Sequence, residues 1–406
     1  MQDSKTGEKE RRMAIFCGRL VDGLGGEAVE PATVLVEDGL ITEVLEGRVE
    51  PRPEFQIFDF GGFTVVPGLI DSHEHLGLDP VIDGQAIDGQ SLSLFESQPL
   101  ITLRNVKNAR ISLESGVTSM RLVGEQNPID VKLRDAIRDG WVAGPRLVVS
   151  GIAIGKTGGH GGSVGVEVDS PDEVRKAVRE NIKIGVDLIK IFPGTGGVDP
   201  FRDSDVMAAE MTVEEIETAV TEAHRAGLKV AAHAHGGDGA QWSIDAGVDS
   251  IEHGSRLTDE QLSQMADKGI FLVCTAGIAD WCYKSSHLPA FVKPKIKKSM
   301  EELPRTLASA KRLGVKVVVG CDINTGQLAY ELETLVKAGY SPLEALSAAT
   351  RLGAELLGID HIAGTLQPGR SADLVAVEGN PLEDIRAMRQ IRAVMKEGRF
   401  FVNRAT

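Results

Sequence analysis

The chain has 406 residues, 42% of them hydrophobic, enough for one large α/β barrel of ~250 residues with a smaller appended domain. Its 44 basic and 59 acidic residues leave a net charge of -15, which disfavours nucleic acid and anionic membrane surfaces as partners. Met1 to Met13 is polar and charged, without the apolar core of a secretory signal, and no later apolar run approaches ~18 residues. Cys17, Cys274, Cys282 and Cys321 form no Cys-x-x-Cys pair, so reduced thiols in a soluble cytoplasmic protein are expected, with no disulfide framework.

From Met13 to about Phe63 the sequence offers short β-rich runs, Ala14–Phe16, Thr33–Val36 and Leu40–Val44, with Asp38-Gly39 marking a hairpin turn. The same texture returns in Ala372–Val377 and Arg392–Val402. The two ends are therefore expected to pair into one small β-sandwich, residues 1–66 and 365–406, around a central domain of residues 67–364.

The central stretch alternates apolar strand-like runs with longer amphipathic segments, the pattern of repeated βα units and a parallel sheet. Eight runs are counted: Thr64–Ile70, Val117–Leu122, Arg146–Ser150, Val186–Phe192, Lys229–Ala232, Val248–Ile251, Ile270–Cys274 and Val315–Gly320. Between the fourth and fifth, Thr212–Ala226 reads as a helix, with Thr212 as N-cap and Glu215 completing a capping box. Eight units predict a (β/α)8 TIM barrel.

Such a barrel puts its chemistry at the carboxyl ends of the strands. The first run leads into Asp71-Ser72-His73-Glu74-His75. On extended backbone, residues i and i+2 point the same way, so His73 and His75 can share one metal. Lys190 lies within the fourth run, where an amine carries a steep desolvation penalty unless it has a partner; reacted with carbon dioxide, it would give a carbamate able to bridge two divalent cations. His233 ends the fifth run and His253 the sixth, while His235, two residues beyond His233, is left for the loop and the substrate. Asp322 follows the eighth run, where a carboxylate can bind metal, take a proton from a metal-bridging water and deliver it to a leaving amine.

The set Pro67-Gly68-Leu69-Ile70-Asp71-Ser72-His73-Glu74-His75, Lys190, His233, His253 and Asp322, with Gly369–Val375 near the end of the chain, resembles the amidohydrolase superfamily. Thr157-Gly158-Gly159-His160-Gly161, Lys190-Ile191 and Ala232–Gly236 are most similar to its Xaa-Pro or Xaa-Arg dipeptidase and imidazolonepropionase-related branch, which includes ochratoxin-type amidases. The resemblance implies that His73 and His75 bind one zinc and His233 and His253 the other, with carboxylated Lys190 between them and Asp322 as ligand and proton shuttle. It also implies that His160, in its glycine-rich loop, approaches the substrate carbonyl or carboxylate. Arg121 is expected to join His160 and His235 in contacting substrate, and a homo-oligomer is expected.

The chain departs from the dipeptidase pattern at three places. Arg121-Leu122 stands where an Arg-Asp pair is common, Thr275-Ala276-Gly277 where a tyrosine is common, and Ile323–Gln327 lacks a histidine. The reading is a binuclear zinc enzyme hydrolysing an amide in a small N-acyl amino acid, dipeptide or amide-linked xenobiotic. The alternatives are a one-metal cyclic-amidine hydrolase or deaminase, an ester, carbamate or lactone hydrolase, and a scaffold without activity. The segments Leu76–Pro99 and Ala276–Lys293, the second with Trp281, Tyr283, His287 and Phe291, are expected to line the pocket.

Overall fold

A computed structural model of the protein describes residues 12–78, 96–125, 127–162, 164–196, 205–284 and 292–404. The described chain falls into two compact units. One holds residues 12–70, Leu113–Thr118 and 341–404; the other holds 71–112 and 119–340.

The first unit opens with β1 (Arg12–Leu20), β2 (Ala32–Glu37), β3 (Leu40–Glu46) and β4 (Gln56–Pro67). Glu37 pairs with Leu40, which leaves Asp38-Gly39 as a two-residue loop with φ of 48° and 83°. Both values lie in the left-handed region that a tight hairpin turn of this kind demands, so the expected turn is present.

The chain then runs through β5 (Leu69–Glu74), α1 (Gln98–Glu114), β6 (Val117–Leu122), α2 (Ile129–Arg138), β7 (Arg146–Val149), β8 (Ala153–Lys156), β9 (Gly165–Val168) and α3 (Pro171–Ile184). It continues with β10 (Leu188–Ile191), α4 (Val213–Arg225), β11 (Lys229–Ala234), α5 (Gly237–Ala246), β12 (Ser250–His253), α6 (Asp259–Lys268) and β13 (Phe271–Cys274). After α7 (Ala276–Lys284) and α8 (Val292–Leu313) come β14 (Val317–Val319) and α9 (Leu328–Lys337). The strands form two sheets, β5-β6-β7 and β14-β13-β12-β11-β10-β8-β9. Pairs β6–β7, β8–β10 and each neighbouring pair from β10 to β14 are parallel.

Backbone hydrogen bonds link the two sheets. Asp322 N–H donates to the His73 carbonyl (2.7 Å), His75 N–H to the Asp322 carbonyl (3.0 Å) and Asp187 N–H to the Val149 carbonyl (2.7 Å). This is an α/β fold of parallel strands consistent with a TIM barrel. Seven of the eight expected runs coincide with a strand, whereas the first, Thr64–Ile70, is divided at Gly68 between the end of β4 and the start of β5; β8 and β9 were not expected, being four residues each with glycines that dilute the apolar signal. The expected capping box of α4 forms, Thr212 accepting from Glu215 N–H and Glu215 from Thr212 N–H. The same helix buries Ile216, Ala219, Val220 and Ala223, the spacing of a face turned to a core.

The chain finishes with α10 (Pro342–Ala348), α11 (Arg351–Leu357), β15 (Leu374–Val377), β16 (Ile391–Lys396) and β17 (Arg399–Asn403). The last three strands join the first four in one sheet of order β17-β16-β15-β4-β1-β2-β3. Antiparallel pairing of β15 with β4 brings the two ends of the chain together. Every second residue of the first strands, Met13, Ile15 and Cys17 on β1 and Ala32, Val34 and Val36 on β2, enters one apolar core with Phe60, Leu374 and Met395, as the two-residue repeat of a strand requires.

Candidate metal centre

The polar residues that end the parallel strands come together within the second unit. Donor atoms of His73, His253 and Asp322 lie within 4.8 Å of one another. His75 Nε2 is 3.7 Å from Asp322 Oδ1, and His73 Nε2 is 3.9 Å from the same oxygen. The His233 ring stands 4.5 Å from that of His253 and 4.4 Å from that of His160. Lys190 is fully buried, its Nζ 5.1 Å from the centre of the Phe192 ring, and its charge reaches His73, His75, His160, His233 and His253.

Each of the four candidate imidazole ligands is held by one nitrogen. His73 Nδ1 meets Glu252 Oε2 at 2.7 Å, and His75 Nδ1 meets the Gly124 carbonyl at 2.7 Å. His233 Nε2 meets the Thr195 carbonyl at 3.3 Å, and His253 Nδ1 the Thr275 hydroxyl at 2.6 Å. A carboxylate or carbonyl only accepts, so the held nitrogens of His73, His75 and His233 carry the proton, and the opposite nitrogen presents a lone pair. Metal-ligating histidines are oriented in the same way.

The electrostatics agree. Burial, with Lys190 adding to it, holds His73 well below the usual histidine range. Burial also brings His75 and His235 down to about 4 and His160 down to about 3. It depresses His233 and His253 strongly as well. Neutral imidazoles are the form that binds metal. Burial lowers the Lys190 ammonium to about 8 and raises the Asp322 carboxyl to about 7.

Backbone conformation marks the same place. His253 and Asp322 have φ of 69° and 62°, a left-handed conformation that side-chain-bearing residues seldom adopt and that clusters at functional sites. His160 lies in the loop between β8 and β9, where its N–H donates to Glu210 Oε2 at 2.8 Å. A Cβ on Gly196 would collide with the His160 ring, so that close approach requires glycine. His235 stacks 5.3 Å from His253, its Nδ1 2.8 Å from the Ser255 hydroxyl.

Arg121 departs from its expected role as a substrate contact. It is 3% exposed, and its guanidinium donates to both Glu252 oxygens at 2.8 Å, to Ser250 Oγ at 3.1 Å and to the Ser72 carbonyl at 2.6 Å. Those bonds engage its head group inside the protein. Glu252 and Thr275 hold His73 and His253, roles not expected from the sequence. Glu252 carried a signal, an acidic residue inside a strand beside a histidine, whereas Thr275 was marked only by standing where a tyrosine is common. Of the expected pocket segments, residues 79–95 and 285–291, with His287 and Phe291, lie outside the described residues. Trp281 and Tyr283 lie on α7. Leu78 packs with Ala153, Val164, Phe192 and Ile323 in a small apolar cluster.

The donor set fits divalent cations. His73 Nε2 and Lys190 Nζ are buried without a hydrogen-bond partner among the described residues, a costly state for polar atoms unless something binds them. Nearby, Asp71, Glu74 and Cys321 form a second buried group of potential donors. All four cysteines are buried and unpaired. Among the described residues, no helix is long and apolar enough to cross a membrane.

The chain belongs to the amidohydrolase family, whose sequence model matches residues 64–401. It is accordingly a hydrolase acting on amide bonds, in a family that generally uses divalent metals. It is 31% identical to ochratoxinase from Aspergillus niger over 95% of this chain and 86% of that protein. A crystal structure of a Xaa-Pro dipeptidase with methionine bound in the active site has a TM-score of 0.87 and 30% identity, covering 97% of this chain and 100% of that one. A prolidase complexed with N-methylphosphonate-L-proline also has a TM-score of 0.87, at 28% identity with the same coverage.

Proposed function

We propose that the protein is a binuclear zinc amidohydrolase that cleaves the amide bond of a small N-acyl amino acid, dipeptide or amide-linked xenobiotic. His73 and His75 would hold one cation, His233 and His253 the other, with carboxylated Lys190 between them and Asp322 as a further ligand. The observation that carries the reading is the one-sided anchoring of four clustered imidazoles, three of them within 4 Å of Asp322, beside a buried lysine amine with no hydrogen-bond partner among the described residues. Bound there, the cations would act as Lewis acids toward the scissile carbonyl and make water a competent nucleophile at neutral pH.

The protein's own groups would do the rest. Asp322, within 4 Å of His73, His75 and His253, accepts a proton from the attacking water and returns it to the departing nitrogen, the task of a positioned general base and acid. Neutral His160 and His235 contact the substrate, His160 at its carbonyl or carboxylate. The apolar cluster of Leu78, Val164, Phe192 and Ile323 supports an apolar substituent near His160, because Phe192 packs edge-on to that ring at 5.4 Å. The architecture we propose is a (β/α)8 barrel over residues 67–364 with a β-sandwich made from 1–66 and 365–406. We further propose a homo-oligomer acting on a small molecule in the cytoplasm.

The test is a hydrolysis panel on zinc-loaded protein with Xaa-Pro dipeptides, other dipeptides, N-acyl amino acids and ochratoxin, set against ester, carbamate, lactone and imidazolone substrates. Release of amine from an acyclic amide, lost with a chelator and restored by zinc, is the expected result. Turnover confined to the imidazolone, or to the esters and lactones, would overturn the substrate class.

A further inference from the structure

The four imidazoles are not held alike. His75 and His233 are anchored by backbone carbonyls and His253 by a hydroxyl, whereas His73 is anchored by a carboxylate, Glu252. Glu252 has no exposed surface. Both of its oxygens accept from Arg121 Nη2 at 2.8 Å, and Oε1 also accepts from the Ser250 hydroxyl. The same arginine reaches with Nε to the carbonyl of Ser72, the residue before His73. One ion pair therefore fixes both the ring and the backbone of a single candidate ligand. It is assembled from β5, β6 and β12.

A buried ion pair is weak grounds for stability, because desolvating two charges offsets most of their attraction and well-packed apolar side chains serve as well. Its place against His73 points to another role. An imidazole whose distal N–H donates to a carboxylate is a more basic ligand than one donating to a carbonyl or hydroxyl, and such partners change metal affinity by about 10–100-fold. We propose that Arg121 and Glu252 are positioning residues that make the two cation positions unequal, the one served by His73 and His75 binding more tightly than the one served by His233 and His253. Arg121 holds the Glu252 carboxylate in place through both oxygens; Glu252, an acceptor, keeps the proton of His73 on Nδ1 and its lone pair on Nε2.

This inference rests on the two-metal reading above, and the experiment separates them. Zinc-loaded wild-type protein and Glu252→Gln are titrated with a chromophoric chelator, following zinc released per chain, with circular dichroism to check the fold. The wild type is expected to release zinc in two steps, and Glu252→Gln to weaken the tighter step by about 10–100-fold while leaving the weaker step in place. The double variant Arg121→Met/Glu252→Gln, which leaves no unpaired buried charge, is expected to do the same should the single variant fold poorly. Two unchanged steps in a folded variant, or equal weakening of both, would overturn the asymmetry. A single wild-type step releasing two zinc ions per chain would overturn the asymmetry alone, whereas release of no more than one zinc per chain would overturn the two-metal reading and this inference with it.

Discussion

The Thr275 hydroxyl lies 2.6 Å from His253 Nδ1, so a residue standing where the dipeptidase pattern carries a tyrosine instead steadies a candidate ligand. Thr275→Val keeps the shape of the side chain and removes the hydroxyl. It is expected to lower kcat/KM by about 10–100-fold with an unchanged far-ultraviolet spectrum, and Thr275→Ser to restore most of the loss. A valine variant at the wild-type rate would show the contact to be incidental.

Asp322→Asn retains the size of the side chain and abolishes its capacity to take a proton. Loss of a positioned acid–base group costs about 100- to 10,000-fold, and removal of a ligand compounds it, so turnover is expected to fall below detection in a folded protein. His253→Ala is expected to behave alike. Steady-state assays beside thermal melts check both, and a rate near wild type in either variant would refute the assigned roles.

Gly196 faces the His160 ring so closely that a methyl group would collide with it. Gly196→Ala is therefore expected to raise KM severalfold by displacing His160, while zinc content stays at the wild-type level. Depleted zinc with KM unchanged would move His160 out of the substrate site.

Much of this site could be read in the sequence, because its members protrude at the ends of apolar runs: His73 on β5 and His75 just beyond it, Lys190 within β10, His233 and His253 on β11 and β12, Asp322 beyond β14. What could not be read depends on partners far apart in the chain. Arg121 and Glu252 are 131 residues apart, and each alone looks like an isolated charge in a strand; only the fold shows that they neutralise one another. For that reason Arg121 was expected at the substrate. The joining of the chain ends was legible from matching β texture, since β15 pairs with β4. The short strands β8 and β9 were not, and His160 consequently sits between them and not directly after β7.

Buried acids make stability depend on pH. Glu331 is 1% exposed, and burial raises its carboxyl to about 8, even though Ala276 and Gly277 donate their N–H groups to it. An unfolded chain releases that proton near the ordinary glutamate value of 4.5, whereas the folded protein keeps it until about 8. Between those values the native state binds the extra proton, so stability falls as pH rises through the window and levels off above it. Glu125, raised to about 8 for the same reason, acts in the same direction. The depressed histidines act in the opposite direction below about pH 6.5, so the comparison isolates Glu331: from pH 5 to 8.5 the melting temperature of the wild type is expected to fall relative to that of Glu331→Gln, and a constant difference between the two would remove Glu331 from the account.

The most direct test counts metal. Protein purified after growth with zinc and bicarbonate, analysed by plasma mass spectrometry, is predicted to hold two zinc ions per chain, and folded Lys190→Ala is predicted to hold one or none and to be inactive. One zinc or fewer in the wild type, or a Lys190→Ala variant with full zinc content and turnover, would contradict a centre built on Lys190.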